Sequence, residues 1–189
     1  IEAGLTDIKQ LTRAKYKNLL NTDSRADIKL KPLKLIPHKE IKKIESKLLT
    51  TGVKLVGSYR RRNSVSKDID IMIVSDRKNA LNEYLAYLQT QFEINIYSHG
   101  NDKASVLLKV GSKYFKADIF RTKKSEQHAM LLYATGSKFF NIRMRAKAKK
   151  MGYLLNQMGL FYQGKKVKVN SEKGFFKKLG MEYVEPWQR

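Results

Sequence analysis

A chain of 189 residues, 42% of them hydrophobic, is large enough for one generous core or two small ones, and its composition argues against disorder. Its 39 Lys and Arg against 17 Asp and Glu leave a formal net charge of +22, which points to a polyanionic partner, nucleic acid first, because neutralising phosphates over a long footprint takes many cations. A membrane partner is disfavoured by the lack of an apolar run of ~18 residues or a Lys/Arg-faced amphipathic terminus, and the absence of cysteine excludes disulfides, thiolate zinc sites and thiol nucleophiles while fitting a reducing, intracellular compartment.

In chain order, residues 1 to about 30 read as short helices broken by Asn21-Thr22-Asp23-Ser24, too poor in apolar residues to stand alone and expected to dock on the rest of the chain. The chain opens at Ile1 with no signal-peptide pattern, which is expected of a fragment or a processed product. Leu35 to Glu40 opens a helix that runs to about Leu49. Pro37 stands early there, where its missing N–H is harmless, and Ile41, Ile44 and Leu48 share one face. Strands are expected over Val53–Val56, Ile69–Val74, Phe92–Tyr97, Ala104–Val110 and Tyr114–Phe120, from β-branched and aromatic content between turn-like bounds, with a helix over Asn79–Gln91. After Thr122 the pattern is helical over Glu126–Tyr133 and Lys138–Met151, then a hairpin from Tyr153 to Val169 and a last helix near Glu172–Leu179. His38, His99 and His128 are scattered and suggest no zinc site.

The chemistry is concentrated in Gly57-Ser58-Tyr59-Arg60-Arg61-Arg62, in Asp68-Ile69-Asp70-Ile71-Met72-Ile73-Val74 and in Lys116-Ala117-Asp118-Ile119-Phe120. Residues two apart on a strand share a face, so Asp68 and Asp70 project together while Ile69, Ile71 and Ile73 bury the other side. Adjacent carboxylates repel, a cost that divalent cations offset, and hard oxygen ligands suit Mg²⁺. Asp118, on a second apolar strand, could complete the cage, and two ions held about 3.5–4 Å apart stabilise both the attacking and the leaving oxygen of an in-line phosphoryl transfer. An acidic pair at a strand end can equally be a solvated edge or a lone cation site, and three successive arginines can be a solvated loop. Gly57-Ser58 just upstream strengthens the functional reading: glycine lets the backbone approach a phosphate, Ser58 can donate to it, and Arg61 can clamp it with a bidentate fork.

Gly57-Ser58 followed by Asp68-x-Asp70 resembles the signature of the nucleotidyltransferase superfamily. Tyr133-Ala134-Thr135-Gly136-Ser137-x-x-Phe140-Asn141-x-x-Met144-Arg145-Ala146-x-Ala148 resembles the palm–thumb junction of family X DNA polymerases. Leu155-Asn156-Gln157-x-Gly159-Leu160, Ser171-Glu172-Lys173, Leu179-Gly180 and Tyr183-x-Glu185-Pro186-x-x-Arg189 resemble that family's thumb ending, and Leu35-Ile36-Pro37 with Glu40 its lead-in to the palm. The small size is most similar to the family's compact, virus-encoded repair members.

The resemblance implies an α+β enzyme: a helical, fingers-like DNA-binding segment over 1–48, a mixed β-sheet palm over 49–132, and an α/β thumb over 133–189 ending in a hairpin and a helix. It implies template-directed, gap-filling addition of dNTPs to a primer 3′-hydroxyl with two Mg²⁺ ions, Mn²⁺ being an alternative, on gapped or primer-template DNA. A monomer is expected, in the nucleus or at a viral replication site in the host cytoplasm. Carried over by position, Asp68 and Asp70 would bind both ions, and Asp118 the catalytic ion beside the primer hydroxyl. Gly57, Ser58, Arg61, Tyr133, Gly136 and Asn141 would hold the nucleotide, and Arg145 the template. The helix from Ser137 to Lys150 carries Lys138, Arg143, Arg145 and Lys147 and no acidic residue, so it destabilises itself unless phosphates lie nearby. Its contacts to DNA would be sequence-tolerant and salt-dependent.

The chain departs from the family at Arg62 and Lys67, where glycine is usual, and at Ala134, where an aromatic is usual. Residues 3 to 11 resemble the segment after the second helix-hairpin-helix, with no lysine-bearing lyase domain before them, so no lyase activity is expected of this chain. Two other readings keep part of the pattern. A template-independent terminal transferase or RNA-tailing enzyme needs the same three aspartates, and a silent basic DNA-binding module needs none of their chemistry.

Overall fold

The structure, a computed structural model, describes residues 32–189; the expected short helices before that, and the segment 3–11, lie outside the described residues. Ile36–Pro37 (β1) pairs antiparallel with Val65–Ser66 (β3), and Pro37 then leads directly into helix α1, His38–Leu48, whose Ile41, Ile44 and Leu48 are buried as their spacing predicts. Val53–Leu55 (β2) is followed by a four-residue helical turn, Gly57–Arg60 (α2), where the sequence suggested only a strand end. Ile69–Val74 (β4) has its expected bounds, and Ala80–Gln91 (α3) comes next. The next strand, β5, starts two residues later than expected, at Ile94–His99, because Phe92 still belongs to the helix end: its N–H bonds Leu88 O at 2.9 Å.

Lys103–Val110 (β6) and Lys113–Thr122 (β7) form a hairpin about the two-residue turn Gly111-Ser112. Gly111 has φ of +60°, which the first position of such a turn favours in glycine. The five strands order as β2-β4-β7-β6-β5, with β4 and β7 parallel and the other neighbours antiparallel. The sheet is therefore mixed, as expected. Its face carrying Ile69, Ile71, Ile73, Ala117 and Ile119 packs on α1 and α3 in the main core. Met72, Val56 and Met130 form a small second cluster, which ties the sheet to Gln127–Thr135 (α4).

A third cluster lies in the last third of the chain. Lys138–Lys150 (α5) is capped by Ser137, and Glu172–Lys178 (α6) by Ser171, each cap oxygen accepting a backbone N–H of the first turn. Between them Tyr153–Asn156 (β8), Gly159–Tyr162 (β9) and Lys165–Val167 (β10) make a three-stranded antiparallel sheet. The hairpin expected from Tyr153 to Val169 is thus a meander, since Lys165–Val167 turns back onto β9. Phe140, Met144, Leu160, Phe175 and Phe176 fill this core. Phe176, 1% exposed, stabilises by about 2–3 kcal/mol through burial alone.

A polar network joins α2 to the chain's end. Glu172, 7% exposed, accepts two hydrogen bonds from Arg60 (2.9 and 2.8 Å) and one from Arg189 (2.8 Å). Arg60 also donates to Thr135 Oγ1 at 2.6 Å, and the Arg189 guanidinium lies 5.1 Å from the Phe140 ring and 5.2 Å from that of Phe176. Beside this network Arg62 takes a left-handed backbone, φ +60°, and its guanidinium stacks 4.2 Å from the Trp187 ring. Among the described residues no helix is long and apolar enough to cross a membrane.

Candidate active site

The side of the sheet opposite α1 and α3 carries the acids. On β4, Asp70 alternates with the buried isoleucines, and Asp68 stands two residues earlier, just ahead of the strand. The parallel pairing of β4 and β7 makes Asp70 the register partner of Asp118. On its other side Asp118 is opposite Ser105, so the three central strands set Asp70, Asp118 and Ser105 in a row. Sequence reasoning placed the aspartates but missed Ser105 and Lys103. The signal was present, because a two-residue turn at Gly111-Ser112 fixes which residues of the flanking strands face each other.

Gly57 has a nearer neighbour than the expected phosphate. A β-carbon there would lie 1.8 Å from Asp70 Oδ2, and φ is +58°, so glycine lets α2 pass directly against the carboxylate. Ser58 donates to Ser66 Oγ at 2.8 Å, and Arg61 reaches the Thr135 carbonyl oxygen at 2.5 Å, beside Gly136. From α5, Asn141 donates to the Tyr133 carbonyl oxygen at 2.8 Å, and the Arg145 guanidinium lies 5.5 Å from the Tyr133 ring. Tyr133 is 43% exposed, whereas Phe140 is buried against Phe176 with ring centroids 5.7 Å apart.

A cleft of about 830 Å³ gathers Gly57, Ser58, Arg61, Asp68 and Asp70 from the sheet side with Tyr133, Gly136, Lys138, Asn141 and Arg145 from the α4–α5 side. Lys103 also lines it and holds Asp118 Oδ2 at 3.0 Å. Arg143 and Lys147 are exposed on α5 and do not line the cleft. The three histidines form no cluster: among the described residues, no three acidic or histidine side chains stand in ready-made coordination geometry. For Asp118 the reason is visible, since Lys103 and Ser105 engage its two oxygens.

The donor set nevertheless suits a hard divalent cation. Burial, then repulsion from Asp68 and Asp118, pushes the Asp70 carboxyl up to about 7, and Asp68 is raised by burial and by Asp118. Acids this crowded either hold a proton or accept a cation, and the carboxylates of Asp68 and Asp70 in the cleft, with Asp118 in register beside Asp70 though not itself among the cleft-lining residues, match the ligand chemistry of Mg²⁺ or Mn²⁺. The effect on stability has a definite sign. A carboxyl whose native pKa exceeds its unfolded value favours the native state at low pH and loses that contribution as pH rises through about 7. Asp70→Asn is expected to stabilise the protein by about 2–4 kcal/mol at pH 8 without divalent ions, the gain vanishing near the ordinary aspartate pKa of ~4. Thermal melts of both proteins across that range check this.

Residues 130–189 match the family model of the DNA polymerase beta thumb. Repair DNA polymerase X of African swine fever virus (Warthog isolate) is 32% identical over 146 residues, covering 76% of this chain and 84% of that protein. The DNA polymerase/3′-5′ exonuclease PolX of Bacillus subtilis is 31% identical over 133 residues, 69% of this chain and 23% of that protein. Among solved structures, Leishmania infantum polymerase beta, in a ternary P/T complex, superposes with a TM-score of 0.83 at 25% identity, covering 100% of this chain and 90% of that one. With the viral relative matched at that identity over most of both chains, this chain belongs to the family X DNA polymerases.

Proposed function

We propose that the protein is a gap-filling repair DNA polymerase that adds the dNTP complementary to a template base to a primer 3′-hydroxyl. The observation that carries this is the register of Asp70 against Asp118, beside Asp68, at a cleft that Arg61, Lys67, Lys103, Lys138 and Arg145 also line. Two Mg²⁺ ions, when bound, lower the barrier by stabilising the attacking and leaving oxygens of the in-line transfer. Asp68 and Asp70 would hold both ions, and Asp118 the ion next to the primer hydroxyl. Ser58 and Arg61, which line the cleft, would bind the triphosphate of the dNTP, and the Gly136 turn would let a sugar pass close to the backbone. Asn141 and Arg145, one turn apart on α5, would contact the minor-groove edge of the incoming base and the template strand respectively. Lys138, Arg143 and Lys147 add sequence-independent phosphate contacts along the same helix. We divide the chain at about 48 and 132 into a DNA-binding segment, a palm and a thumb, acting as a monomer.

Nothing in the cleft or in the viral and bacterial relatives favours the transferase reading. The deciding experiment is extension of a labelled primer across a one-nucleotide gap, with each dNTP singly and Mg²⁺, beside single-stranded DNA and RNA primers. Filling by the complementary nucleotide alone is the expected result. Extension of single strands regardless of template would replace this reading with a terminal transferase.

A further inference from the structure

The two oxygens of Asp118 have unlike partners. Oδ1 accepts from Ser105 Oγ at 2.6 Å, and Oδ2 lies 3.0 Å from Lys103 Nζ. Ser105 is 6% exposed on the middle of a hairpin whose turn fixes its position opposite Asp118, so its hydroxyl has little room to leave. Lys103 differs. Its side chain is 55% exposed at the start of β6, its ammonium sits 5.2 Å from the Phe120 ring, and a flexible four-carbon stem lets it move into solvent. Lys103 lines the same cleft as Asp68 and Asp70, so its charge stands among the acids.

We propose that Ser105 is a positioning residue that fixes the Asp118 carboxylate with Oδ2 turned to the cleft, and that Lys103 is a resident counterion that yields Oδ2 to a divalent cation. The proposal rests on the reading of Asp118 as a metal ligand. It divides two tasks between cross-strand neighbours. The hydroxyl, neutral and buried, keeps the carboxylate oriented whether or not a cation is present, in the way hydrogen-bonding partners of metal ligands fix their geometry. The ammonium offsets the charge of Asp118 while it is unliganded and gives way to the divalent cation, which brings twice its charge, when that ion arrives.

Binding of Mn²⁺ to the DNA-free protein, followed by electron paramagnetic resonance of the free ion, tests this without turnover. Ser105→Ala should weaken binding at the Asp118-dependent site by about 10-fold or more. Ser105→Thr, which keeps the hydroxyl, should restore it, and Lys103→Met should tighten it. In primer extension Ser105→Ala should raise the Mn²⁺ concentration at half-maximal rate and leave the KM for dNTP unchanged. Unaltered Mn²⁺ affinity in Ser105→Ala, or equal weakening in Ala and Thr variants, overturns the positioning role; unchanged or weaker binding in Lys103→Met overturns the exchange. Asp118→Ala separates the two levels. If it binds Mn²⁺ as the parent does, the metal reading itself fails; if it loses the site while Ser105→Ala keeps full affinity, only the positioning role fails.

Discussion

Asp118→Ala should reduce gap filling by three or more orders of magnitude while leaving the fold intact. Asp118 touches the reacting centre in the proposed arrangement, and removing charge stabilisation of several kcal/mol from a transition state corresponds to about 10³–10⁴ in rate. The stability change should be small and of opposite sense. The substitution removes one of three mutually repelling acids, and it frees Lys103, whose side chain is half exposed and readily solvated. Single-turnover extension with saturating dNTP, beside a thermal melt, separates the two effects. A variant that is inactive and no less stable than the parent is the expected pair of results; a variant retaining a tenth of the parental rate would remove Asp118 from the chemistry.

Glu172→Ala should act in the other direction on stability. Among the described residues Glu172 is the acid that pairs with both Arg60 and Arg189 in their buried network, and its loss leaves two guanidinium groups without that counter-charge, one of them on a fully buried side chain. Breaking such a network by deleting one partner costs about 3–5 kcal/mol, which for a chain of this size lowers the Tm on the order of 10 °C. Burial pushes the Glu172 carboxyl up, but hydrogen bonds from Arg60 and Arg189 outweigh it and hold the group below the usual carboxylate range. A depressed native pKa gives stability that is fully present above the unfolded value and lost as pH falls through the native one. The gap in Tm between parent and Glu172→Ala should therefore be full at neutral pH and close in acid. Removing a carboxylate thus destabilises at Glu172 and stabilises at Asp70, a contrast that one series of melts reads directly.

The elements written into local pattern were the legible ones. Ile69–Val74 is an apolar strand with an acid at its head and Ser75 after it, so its bounds come from alternation and termination alone. Helix α1 is announced by Pro37 and by the spacing of Ile41, Ile44 and Leu48. What escaped is set by contacts distant in sequence. The turn at Gly57–Arg60 reads locally as a strand end, and glycine is required there because Asp70, 13 residues on, occupies the space a side chain would need. The pairing of Ile36–Pro37 with Val65–Ser66 joins two-residue strands too short to carry any periodicity. Arg60, Glu172 and Arg189 read as a basic loop, a helix start and a chain end, and only the packing of the last core brings them within hydrogen-bonding distance. The gathering of Ser58, Arg61, Asn141 and Arg145 at one cleft was visible through the family's order of motifs rather than through any local signal.

Arg62 and Trp187 carry a constraint on history. A left-handed arginine costs on the order of 1 kcal/mol where glycine costs nothing, and a stacked guanidinium returns about 0.5–2 kcal/mol only when the aromatic ring is already in place. Substitution of glycine by arginine at position 62 is therefore unfavourable in a chain whose tail lacks the tryptophan and close to neutral in one that has it. The arginine is thus best tolerated where the ring is already present. Lineages that replace Trp187 afterwards should be under pressure to revert position 62 to glycine, so the two sites are expected to change as a linked pair, 125 residues apart in sequence.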